Sequence, residues 1–503
     1  MEIKVVVGDI TEVAADAIVV NLFQGVTAPG GATGAVDEAL DGAISDLIAD
    51  GEITGKKGNA VIHTLGKMPA KRVVVAGLGK QDDFTANTVR DVAGDAARYL
   101  RGLGVKKAAT ILHGAGIGGM NPEEAAEALA EGTLLGLYNF RQHKTGDGGN
   151  EGKPEELAVM VFNPEDEDAV RRGIDTGRIM AEAASLARDL ANEPANEMTP
   201  TRLAAHAEEV ATRHGLEFRV LERSDCEELG MGAFLGVAQG SVEPPKFIIC
   251  RYSGDPADPD NNLGIIGKSI TFDSGGISLK GAEGMGRMKA DMSGGASVIG
   301  AMHAIGQLKP RINVTMIAAA TENMPSGSAT RPGDILKSMS GKTIEVDNTD
   351  AEGRLTLGDA ITYARQELGV KRIVDIATLT GAMGIALGSV RAGVFSNNQE
   401  LVEAVIEAGE QSGERMWQMP LDDDYKEQNK SDVADIKNTG GRPAGSITAA
   451  HFVGEFAEET PWVHMDIAGV YMVSRDHGVW VKGASGIPVR SLVRLAQNLA
   501  RRG

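Results

Sequence analysis

The chain has 503 residues, of which 42% are hydrophobic and 24% charged, values typical of globular proteins with two or more domains. Its formal net charge of −20 argues against a general binder of nucleic acid or of anionic membranes. The two cysteines, Cys226 and Cys250, do not support a disulfide framework, and a reducing compartment is the simpler interpretation. Because neither a signal-peptide pattern nor a membrane-spanning apolar run occurs, we expect a cytoplasmic protein without a transmembrane helix.

The first 165 residues alternate between predicted strands and helices, which is the pattern of an α/β domain. Residues 141–155 are polar and rich in glycine, and they predict a loop before the last strand of this domain. The predicted strands are residues 4–7, 17–21, 60–63, 72–76 and 157–162, and the predicted helices are residues 89–103 and 122–135.

Residues 166–195 carry a long helical pattern that Pro194 ends, and we interpret them as a connecting helix between two domains. A second, larger α/β domain is predicted for residues 196–503. Its predicted strands are residues 246–250, 263–266, 313–319, 372–377 and 463–467, with helices that include residues 296–308 and 359–368.

The octapeptide Asn-Thr-Asp-Ala-Glu-Gly-Arg-Leu at residues 348–355 is the most informative segment of the chain. Asp350, Glu352 and Arg354 follow one another at steps of two, and in an extended segment such residues face one side. Two carboxylates and one guanidinium would therefore converge on one spot. Carboxylates bind metal ions and a guanidinium binds an anion through two parallel hydrogen bonds, so the segment predicts a metal site beside a bound anion.

A second charged cluster lies between residues 268 and 291, in a glycine-rich frame that lets the backbone approach a ligand closely. It contributes Lys268, Asp273, Lys280 and Asp291. Four close carboxylates cannot all stay ionised without compensating positive charge, and two divalent cations that share bridging carboxylates would supply it. The residues of both segments fall at or just after predicted strand ends, where open α/β sheets bind ligands.

The predicted ligand set is rich in oxygen and contains no histidine, which suits Zn²⁺, Mn²⁺ or Mg²⁺ without selecting one of them. The His-Glu-x-x-His pattern of helical zinc proteases is absent from the sequence. Serine-hydrolase chemistry finds little support, because the nine histidines are scattered and no Gly-x-Ser-x-Gly elbow lies on a suitable strand–turn–helix unit. His464 is expected to be structural.

Further motifs occur along the chain besides the octapeptide and residues 266–276. Together, and in this order, the motifs resemble those of the leucyl aminopeptidases, the cytosol aminopeptidase family of two-metal exopeptidases. The resemblance covers most of the chain. The resemblance implies a macro-domain-like α/β domain over residues 1–165 and a catalytic α/β domain with a central mixed, mostly parallel sheet over residues 196–503. The motifs are Ala-Arg-Asp-Leu-Ala-Asn-Glu-Pro-Ala-Asn (187–196), Glu-Asn-Met-Pro-Ser-Gly (322–327), Arg-Pro-Gly-Asp (331–334), Ala-Thr-Leu-Thr-Gly (377–381), residues 431–445, and His-Met-Asp-Ile-Ala-Gly (464–469).

The resemblance assigns the metal ligands residue by residue. Asp273 and Glu352 would bridge the two ions, Asp350 would complete one site, and Asp291 with Lys268 would complete the other. Lys268 must be neutral to bind a metal ion, which burial and a nearby dication permit because both lower the pKa of a lysine. From the residues alone, a lysine paired with a carboxylate is the favoured interpretation of Lys268.

The resemblance also assigns the groups that act on the substrate. Lys280 would keep its charge, polarise the scissile carbonyl and stabilise the oxyanion. Arg354 would hold a bicarbonate ion that serves as general base for a metal-bridging water, and a structural salt bridge is the alternative for this residue. The pocket for the first side chain would be formed by Met288, Thr378, Gly381 and Ala468, for which core packing is the alternative.

The implied activity is that of an aminopeptidase that removes leucine and other apolar residues from short peptides with a free N-terminus. It would use two divalent ions per subunit, Mn²⁺ or Zn²⁺ or else Mg²⁺, in a cytoplasmic homohexamer. Two alternatives stay open: a Cys-Gly or other dipeptidase with the same metal core, and a DNA-binding accessory or regulatory protein. The net charge of −20 weighs against the DNA-binding alternative.

Residues 8–11, 16–21 and 30–35 are similar to elements of macro domains, a fold that binds ADP-ribose in other settings. The aminopeptidase resemblance implies a macro-like domain with no required ligand, and a glycine-rich loop alone is weak evidence for nucleotide binding. We therefore expect this domain to be structural and to take part in subunit assembly.

Overall fold

The computed structural model describes residues 1–116, 118–146 and 152–502. The chain forms two compact units: residues 1–182 with 474–482 make the first, and residues 183–473 with those from 483 onward make the second. The predicted two-domain α/β class is confirmed, whereas the three-part division at residues 165 and 195 stays a prediction. Within the described ranges, no helix combines the length and hydropathy that a membrane span requires.

The first unit is built on one six-stranded sheet. Its strands are β1 (Glu2–Val7), β2 (Ala17–Phe23), β3 (Gly58–His63), β4 (Arg72–Gly79), β5 (Lys107–Ile111) and β6 (Glu156–Val161). They lie in the order β1-β6-β5-β2-β4-β3, and every neighbouring pair is parallel except β3 and β4. Strand β2 is apolar and buried along almost its whole length, as a parallel strand with both faces covered should be.

Four helices cover the two faces of this sheet, and a fifth helix follows the last strand. They are α1 (Gly31–Ala39), α2 (Ala43–Ala49), α3 (Ala86–Gly102), α4 (Pro122–Gly136) and α5 (Glu167–Asn192). Helix α4 begins with a proline at its first position and with Asn121 as its cap, whose side chain accepts the Glu123 N–H at 2.9 Å. One apolar cluster packs on each side of the sheet, so the layers are α/β/α.

Glycines allow α3 and α4 to pack backbone against backbone. A Cβ on Gly132 would lie 2.2 Å from the Arg90 carbonyl oxygen, and one on Gly136 would lie 2.5 Å from the Cα of Gly94. Neither contact is sterically possible, so no larger residue fits these two positions without separating the helices.

The structure confirms the predicted strands and helices of this unit to within a few residues and adds three elements that the patterns did not predict. Helix α1 contains three glycine or threonine residues in its first turn, which disfavours helix by propensity. Strand β5 has the alanine-rich sequence Lys-Ala-Ala-Thr-Ile, which lacks a strand signature. The predicted loop 141–155 is irregular where the structure describes it, and residues 147–151 of that loop lie outside the described ranges.

The second unit is built on an eight-stranded mixed sheet. Its strands are β7 (Glu217–Leu221), β8 (Lys246–Ser253), β9 (Asn262–Asp273), β10 (Asn313–Asn323), β13 (Arg372–Ala377), β14 (Ala392–Ser396), β15 (Met416–Gln418) and β17 (Trp462–Asp466). The remaining short strands are β11 (Ile335–Lys337), β12 (Thr343–Glu345), β16 (Ile436–Lys437), β18 (Met472–Val473) and β19 (Gly483–Ala484). The order of the large sheet is β15-β14-β17-β13-β9-β10-β8-β7.

Helices pack on both faces of the large sheet. They are α6 (Pro200–His214), α7 (Arg223–Glu228), α8 (Gly232–Ala238), α9 (Ser293–Leu308), α10 (Gly353–Gln366), α11 (Gly381–Leu387), α12 (Gln399–Ser412), α13 (Gly445–Gly454) and α14 (Val489–Arg502). The core between the sheet and α8, α10 and α13 is aliphatic with a few aromatic rings, among them Phe247, Phe395 and Trp462.

The four central strands of this sheet, β17, β13, β9 and β10, are mutually parallel. Their carboxyl ends therefore meet along one edge, which is where open α/β sheets bind ligands. The residues at or next to these ends are polar: Asp273 ends β9, Asn323 ends β10, Thr378 follows β13 and Asp466 ends β17. The candidate functional residues therefore lie along this edge.

His113 is a buried titratable group in the first unit, with 1% of its surface exposed. Its Nδ1 lies 2.9 Å from Asn21 Nδ2, and its Nε2 lies 3.3 Å from Thr110 Oγ1. The amide N–H₂ of Asn21 can only donate, so Nδ1 accepts and the ring is neutral. Burial lowers the pKa of His113 from 6.5 to about 4.

This shift predicts that the first unit loses stability in acid. A buried histidine whose pKa is lowered stabilises the fold above pH 6.5, and that contribution is lost as the pH falls from 6.5 towards 4. The loss should reach roughly 3 kcal/mol, and His113→Gln should remove most of it. Thermal unfolding of both proteins between pH 7.5 and pH 4 measures the difference, and parallel curves for the two proteins would contradict the assignment.

Candidate metal and substrate site

Every predicted metal ligand lies at the carboxyl edge of the large sheet. Lys268 lies within β9 and Asp273 ends that strand. Asp291 directly follows a 3₁₀ helix, Met285–Ala290, and Asp350 and Glu352 lie in the turn that leads into α10. The structure therefore brings together five residues that span 84 positions of the sequence.

A shift of register in β9 lets two of these residues face the same side. The pairing of β9 with β10 gains one extra residue at Thr271, opposite the step from Thr321 to Glu322. Lys268 and Asp273 are five positions apart, so in a regular strand they would face opposite sides of the sheet. The extra residue reverses the alternation and turns both side chains towards the site.

Lys268 is almost completely buried and joins two of the predicted metal ligands. Its Nζ lies 2.7 Å from Asp291 Oδ2 and 2.8 Å from Glu352 Oε1, and it donates a hydrogen bond to the Thr378 carbonyl oxygen at 3.1 Å. Two ion pairs and one hydrogen bond therefore surround this ammonium group.

Lys280 joins the other two carboxylates. Its Nζ lies 2.7 Å from Asp273 Oδ2 and also contacts Asp350 Oδ1. Unlike Lys268, it keeps 23% of its side chain exposed. Lys280 is therefore the cation of the cluster that a ligand can reach from solvent.

Burial raises the pKa values of Asp291, Asp350 and Glu352 above their ordinary range. Burial by itself would lower the pKa of both lysines, but the charges of the neighbouring carboxylates raise the pKa of Lys268 and of Lys280 above its ordinary value. Burial is thus the main cause of the shifts of the acids, and the neighbouring carboxylates are the cause of the upward shifts of the lysines. The role of Lys268 as a neutral metal ligand stays a prediction.

The residues present fit divalent cations. Ligand oxygens of Asp273, Asp350 and Glu352 lie within 4.8 Å of one another. Glu352 Oε2 is buried and accepts no hydrogen bond from a described residue. A buried carboxylate oxygen without a donor is costly, and a bound cation removes that cost. Oxygen-rich ligation of this kind suits Mn²⁺, Mg²⁺ or Zn²⁺.

The octapeptide is not extended, and the expectation that residues at steps of two would share one side because of extended geometry is wrong. Asp350 lies in a turn, Glu352 has helical backbone angles, and α10 begins at Gly353. Arg354 is consequently in the first turn of a helix. The carboxylates still converge, but they do so because the turn and the helix start fold them over the end of β9.

Arg354 is buried beside the cluster without joining its ion pairs. Its Nη1 donates to the Asn438 carbonyl oxygen at 2.6 Å, and its Nε is buried with no hydrogen-bond acceptor among the described residues. Burial lowers its pKa to about 10, which leaves it charged at neutral pH. Within the described ranges, Arg354 forms no ion pair with a carboxylate, which counts against the structural salt bridge.

Two of the four predicted pocket residues, Thr378 and Met288, contact Asp291 of the cluster. Thr378 Oγ1 donates to Asp291 Oδ1 at 2.6 Å, and the Met288 carbonyl accepts the Asp291 N–H at 3.2 Å. Gly381 begins α11, and a Cβ built on it would meet no atom within 4 Å, so the space beside it is open. Ala468 is partly buried just beyond the end of β17.

Two sequence models of one family match the chain. The catalytic domain of the cytosol aminopeptidase family matches residues 185–493, and the N-terminal domain of the same family matches residues 19–147. The chain belongs to the cytosol aminopeptidase family. The resemblance predicted from the motifs is thereby confirmed, together with metal-dependent aminopeptidase activity.

Relatives and solved structures agree with this assignment over the full length of the chain. A probable cytosol aminopeptidase of Alkaliphilus oremlandii is 45% identical over 100% of both chains, and one of Solibacter usitatus is 46% identical over 99% of both. A mutant of tomato leucine aminopeptidase is 33% identical with a TM-score of 0.87, covering 99% of this chain and 97% of that one. The bottromycin maturation enzyme BotP in complex with Mn is 32% identical with a TM-score of 0.85, covering 97% and 100%.

Asn323 supports this aminopeptidase site, although the motif analysis did not single it out. Its Nδ2 donates to Asp273 Oδ1 at 2.8 Å and to the Thr349 carbonyl oxygen at 3.0 Å. The Gly275 N–H adds a second hydrogen bond to the same carboxylate oxygen, at 2.9 Å. Asn323 ends β10 within a motif of the resemblance, so a polar residue at the end of a central strand was the signal available.

Asn438 is a second supporting residue that the sequence analysis missed. It is fully buried, and its Oδ1 accepts the N–H groups of Asp347 and Asn348 at 2.9 and 3.2 Å. Its Nδ2 donates to the carbonyl oxygens of Asn348 and Ala351 at 2.7 and 3.3 Å. One amide therefore fixes the loop that carries Asp350, using all of its hydrogen-bonding capacity.

Asn438→Ala should weaken the binding of Mn²⁺ by about 10- to 100-fold, because groups that orient metal ligands typically matter by that factor. Isothermal titration of chelator-stripped protein with Mn²⁺ measures the effect.

The matched control is Asn313→Ala, since Asn313 also bonds loop backbone through its side chain, at the opposite end of the sheet. Unchanged affinity in the Asn438 variant, or an equal loss in both variants, would show that Asn438 does not orient the ligands.

Proposed function

We propose that this cytosol aminopeptidase removes leucine and other apolar residues from the free N-terminus of short peptides, with two divalent cations per subunit. The main support for the metal site is that Glu352 Oε2 is buried beside Asp273 and Asp350 and accepts no hydrogen bond from a described residue. The side chains that would hold the cations are those of Asp273, Asp350, Glu352, Asp291 and Lys268.

When bound, the cations supply Lewis acidity and a nucleophilic water at neutral pH. Hydrogen bonds within the chain orient the proposed ligands. Asn323 orients Asp273, and Asn438 orients the turn that carries Asp350. Thr378 donates to Asp291 and holds that carboxylate towards Lys268. Such orientation is what lets a flexible carboxylate bind a cation in one geometry.

Lys280 is proposed as the group that polarises the scissile carbonyl. It is charged, it lies between Asp273 and Asp350, and part of its side chain faces solvent. An ammonium in a mostly buried site stabilises developing negative charge on oxygen far more than it would in water. Lys268 has no comparable access, because its side chain is 4% exposed.

Arg354 is proposed to hold a bicarbonate ion, which would supply a general base when bound. Support comes from its burial, from its retained charge and from its Nε, which lacks an acceptor among the described residues. A guanidinium binds a planar anion through parallel N–H donors. The hydrogen bond from Nη1 to the Asn438 carbonyl oxygen fixes the orientation of the other N–H groups of the guanidinium.

The preference for apolar first residues is proposed from Met288, Thr378, Gly381 and Ala468. The open space beside Gly381 and the small size of Ala468 suit an aliphatic side chain. Tyr471 is partly buried near the same cluster, where burial and the charge of Asp291 raise its pKa. A substrate panel rather than leucine alone must therefore define the preference.

The setting of the enzyme is also part of the proposal. We propose a cytoplasmic homohexamer in which the first unit contributes to assembly. The cytosolic names of relatives with full-length coverage support the location. Mn²⁺ or Zn²⁺ is preferred over Mg²⁺ in this proposal, and a solved neighbour in complex with Mn supports the former.

The two alternative functions that the sequence left open, a dipeptidase and a DNA-binding protein, differ in the structural features that they require. A Cys-Gly or other dipeptidase would use the same metal core, so the substrate panel separates it from an enzyme with leucyl preference. A DNA-binding accessory role would require a basic surface, and the net charge of −20 counts against it.

Chelator-stripped protein should hydrolyse leucine-p-nitroanilide only after Mn²⁺, Zn²⁺ or Mg²⁺ is restored, and the metals should differ in rate. Asp350→Ala should abolish most of this activity, and N-acetyl-leucine-p-nitroanilide should not be cleaved by the wild type. Asp347→Ala is the matched control, because Asp347 is an exposed residue of the same loop. Silence of folded protein with every metal would reject leucyl aminopeptidase activity.

Lys280→Ala should lower kcat by roughly 10²- to 10³-fold, the usual effect of removing one group that stabilises an oxyanion. Its metal content, measured by mass spectrometry of the purified protein, should stay at the wild-type level. Lys371→Ala, which removes a lysine ion-paired with Asp260 at the opposite end of the sheet, should retain activity. Persistence of wild-type turnover in the Lys280 variant would refute its role.

A further inference from the structure

Asp466 is a buried carboxylate at the carboxyl end of β17 that belongs neither to the metal cluster nor to the predicted pocket. It has no exposed surface. Its Oδ2 accepts the Thr380 hydroxyl at 2.6 Å. Its Oδ1 accepts the N–H groups of Leu379 at 3.2 Å and of Ala468 at 3.1 Å, with the Thr380 N–H at 3.5 Å.

These hydrogen bonds join the two segments that leave neighbouring strands. Asp466 pairs in register with Ala377, the last residue of β13, so its side chain lies where both chains turn away from the sheet. One carboxylate thereby holds the backbone that follows β13 to the backbone that follows β17. Without it, the N–H groups of both turns would lack this acceptor, and a buried or partly buried N–H group without an acceptor is costly.

The same carboxylate also fixes the start of α11. The Thr380 hydroxyl that donates to Asp466 accepts the Met383 N–H at 3.2 Å and caps this helix. Gly381 is the first residue of α11 and follows Thr380 directly. The position of Gly381 is therefore coupled to Asp466 through one side chain.

We propose that Asp466 is a positioning residue that sets the shape of the pocket for the first side chain of the substrate. Three of the four proposed pocket residues, Thr378, Gly381 and Ala468, lie in the two segments that it joins. The inference rests on the proposed function of those residues. It adds that the geometry of these pocket residues depends on one buried carboxylate.

Asp466 is surrounded by several hydrogen-bond donors. Burial raises its pKa above the ordinary value, and the charge of His464 and the hydrogen bonds from Thr380, Ala468 and Leu379 oppose that rise. His464 is itself held by Asp375, whose Oδ1 lies 2.6 Å from His464 Nδ1. A charged acceptor with several donors orients them more strictly than a neutral one, because charge-assisted hydrogen bonds are stronger.

Asp466→Asn tests the inference, since the amide keeps the shape but offers one acceptor oxygen instead of two. We measure kcat and KM separately for leucine- and alanine-p-nitroanilide with saturating Mn²⁺, together with metal content. KM for the leucine substrate should rise by about 10-fold or more with kcat within about 3-fold, because a side-chain pocket binds ground and transition states alike. The leucine-to-alanine ratio of kcat/KM should fall by about 10-fold, in the range that a few methylene groups of pocket contact supply.

Two further variants separate positioning from general stability. Thr380→Val removes the hydroxyl with little change of shape and should shift KM and the ratio in the same direction by a smaller factor. Asp359→Asn removes another buried carboxylate that accepts backbone N–H groups, those of Phe234 and Met339. It should lower the melting temperature and leave the leucine-to-alanine ratio unchanged.

An unchanged KM and ratio in folded Asp466→Asn would overturn the inference, as would a fall in kcat with loss of metal at constant KM. If that variant does not fold, an unchanged ratio in Thr380→Val overturns it instead. Inactivity of the wild type towards both substrates would instead reject the proposed function, and the inference with it, so the two failures are distinguishable.

Discussion

The packing of four carboxylates around two lysines at one edge of a sheet is the constraint on which the rest of the second unit depends. Asp273, Asp291 and Glu352 are buried, and Asp350 is partly exposed. The four residues come from three separate segments, and the buried ones would not be stable there unpaired. Lys268 and Lys280 balance half of that charge. The remaining negative charge is what makes the cluster a site for cations rather than a closed salt-bridge network.

The charge excess also explains the kinds of residue that support the cluster. Asn323 and Asn438 orient the ligand loops through amides, which satisfy backbone groups without adding a charge of either sign. A carboxylate in either place would deepen the repulsion, and a further lysine would compete with the metal ions. On the β17 side, where N–H donors rather than carboxylates gather, Asp466 supplies the anion that those donors need. The residues that support the carboxylate cluster are therefore neutral, whereas the residue that supports the turn beside β17 is a carboxylate.

The sequence predicted the composition of the site better than its geometry. The residue types at 268–291 and 348–355 predicted which charged side chains come together, because such charges are expensive to bury unpaired. The conformation of the octapeptide was wrong, since step-two spacing was judged without the helix that begins at Gly353. Asn438 was missed because it acts on a loop some 90 positions earlier in the chain, a contact that no local pattern encodes. In the first unit, α1 and β5 form despite weak propensities because the tertiary core covers them.

The register of β9 shows how closely the fold and the chemistry constrain each other. Lys268 and Asp273 share the site only because the strand gains a residue at Thr271, which reverses the alternation of its side chains. Without the extra residue, one of the two charges would face the opposite, helix-covered side of the sheet. A buried charge without a partner costs several kcal/mol, and this cost disfavours the regular pairing. The apolar residues of β9 discriminate less between registers, because the strand is buried on both faces. The ionic cluster thus selects the irregular pairing, and the irregular pairing in turn assembles the cluster.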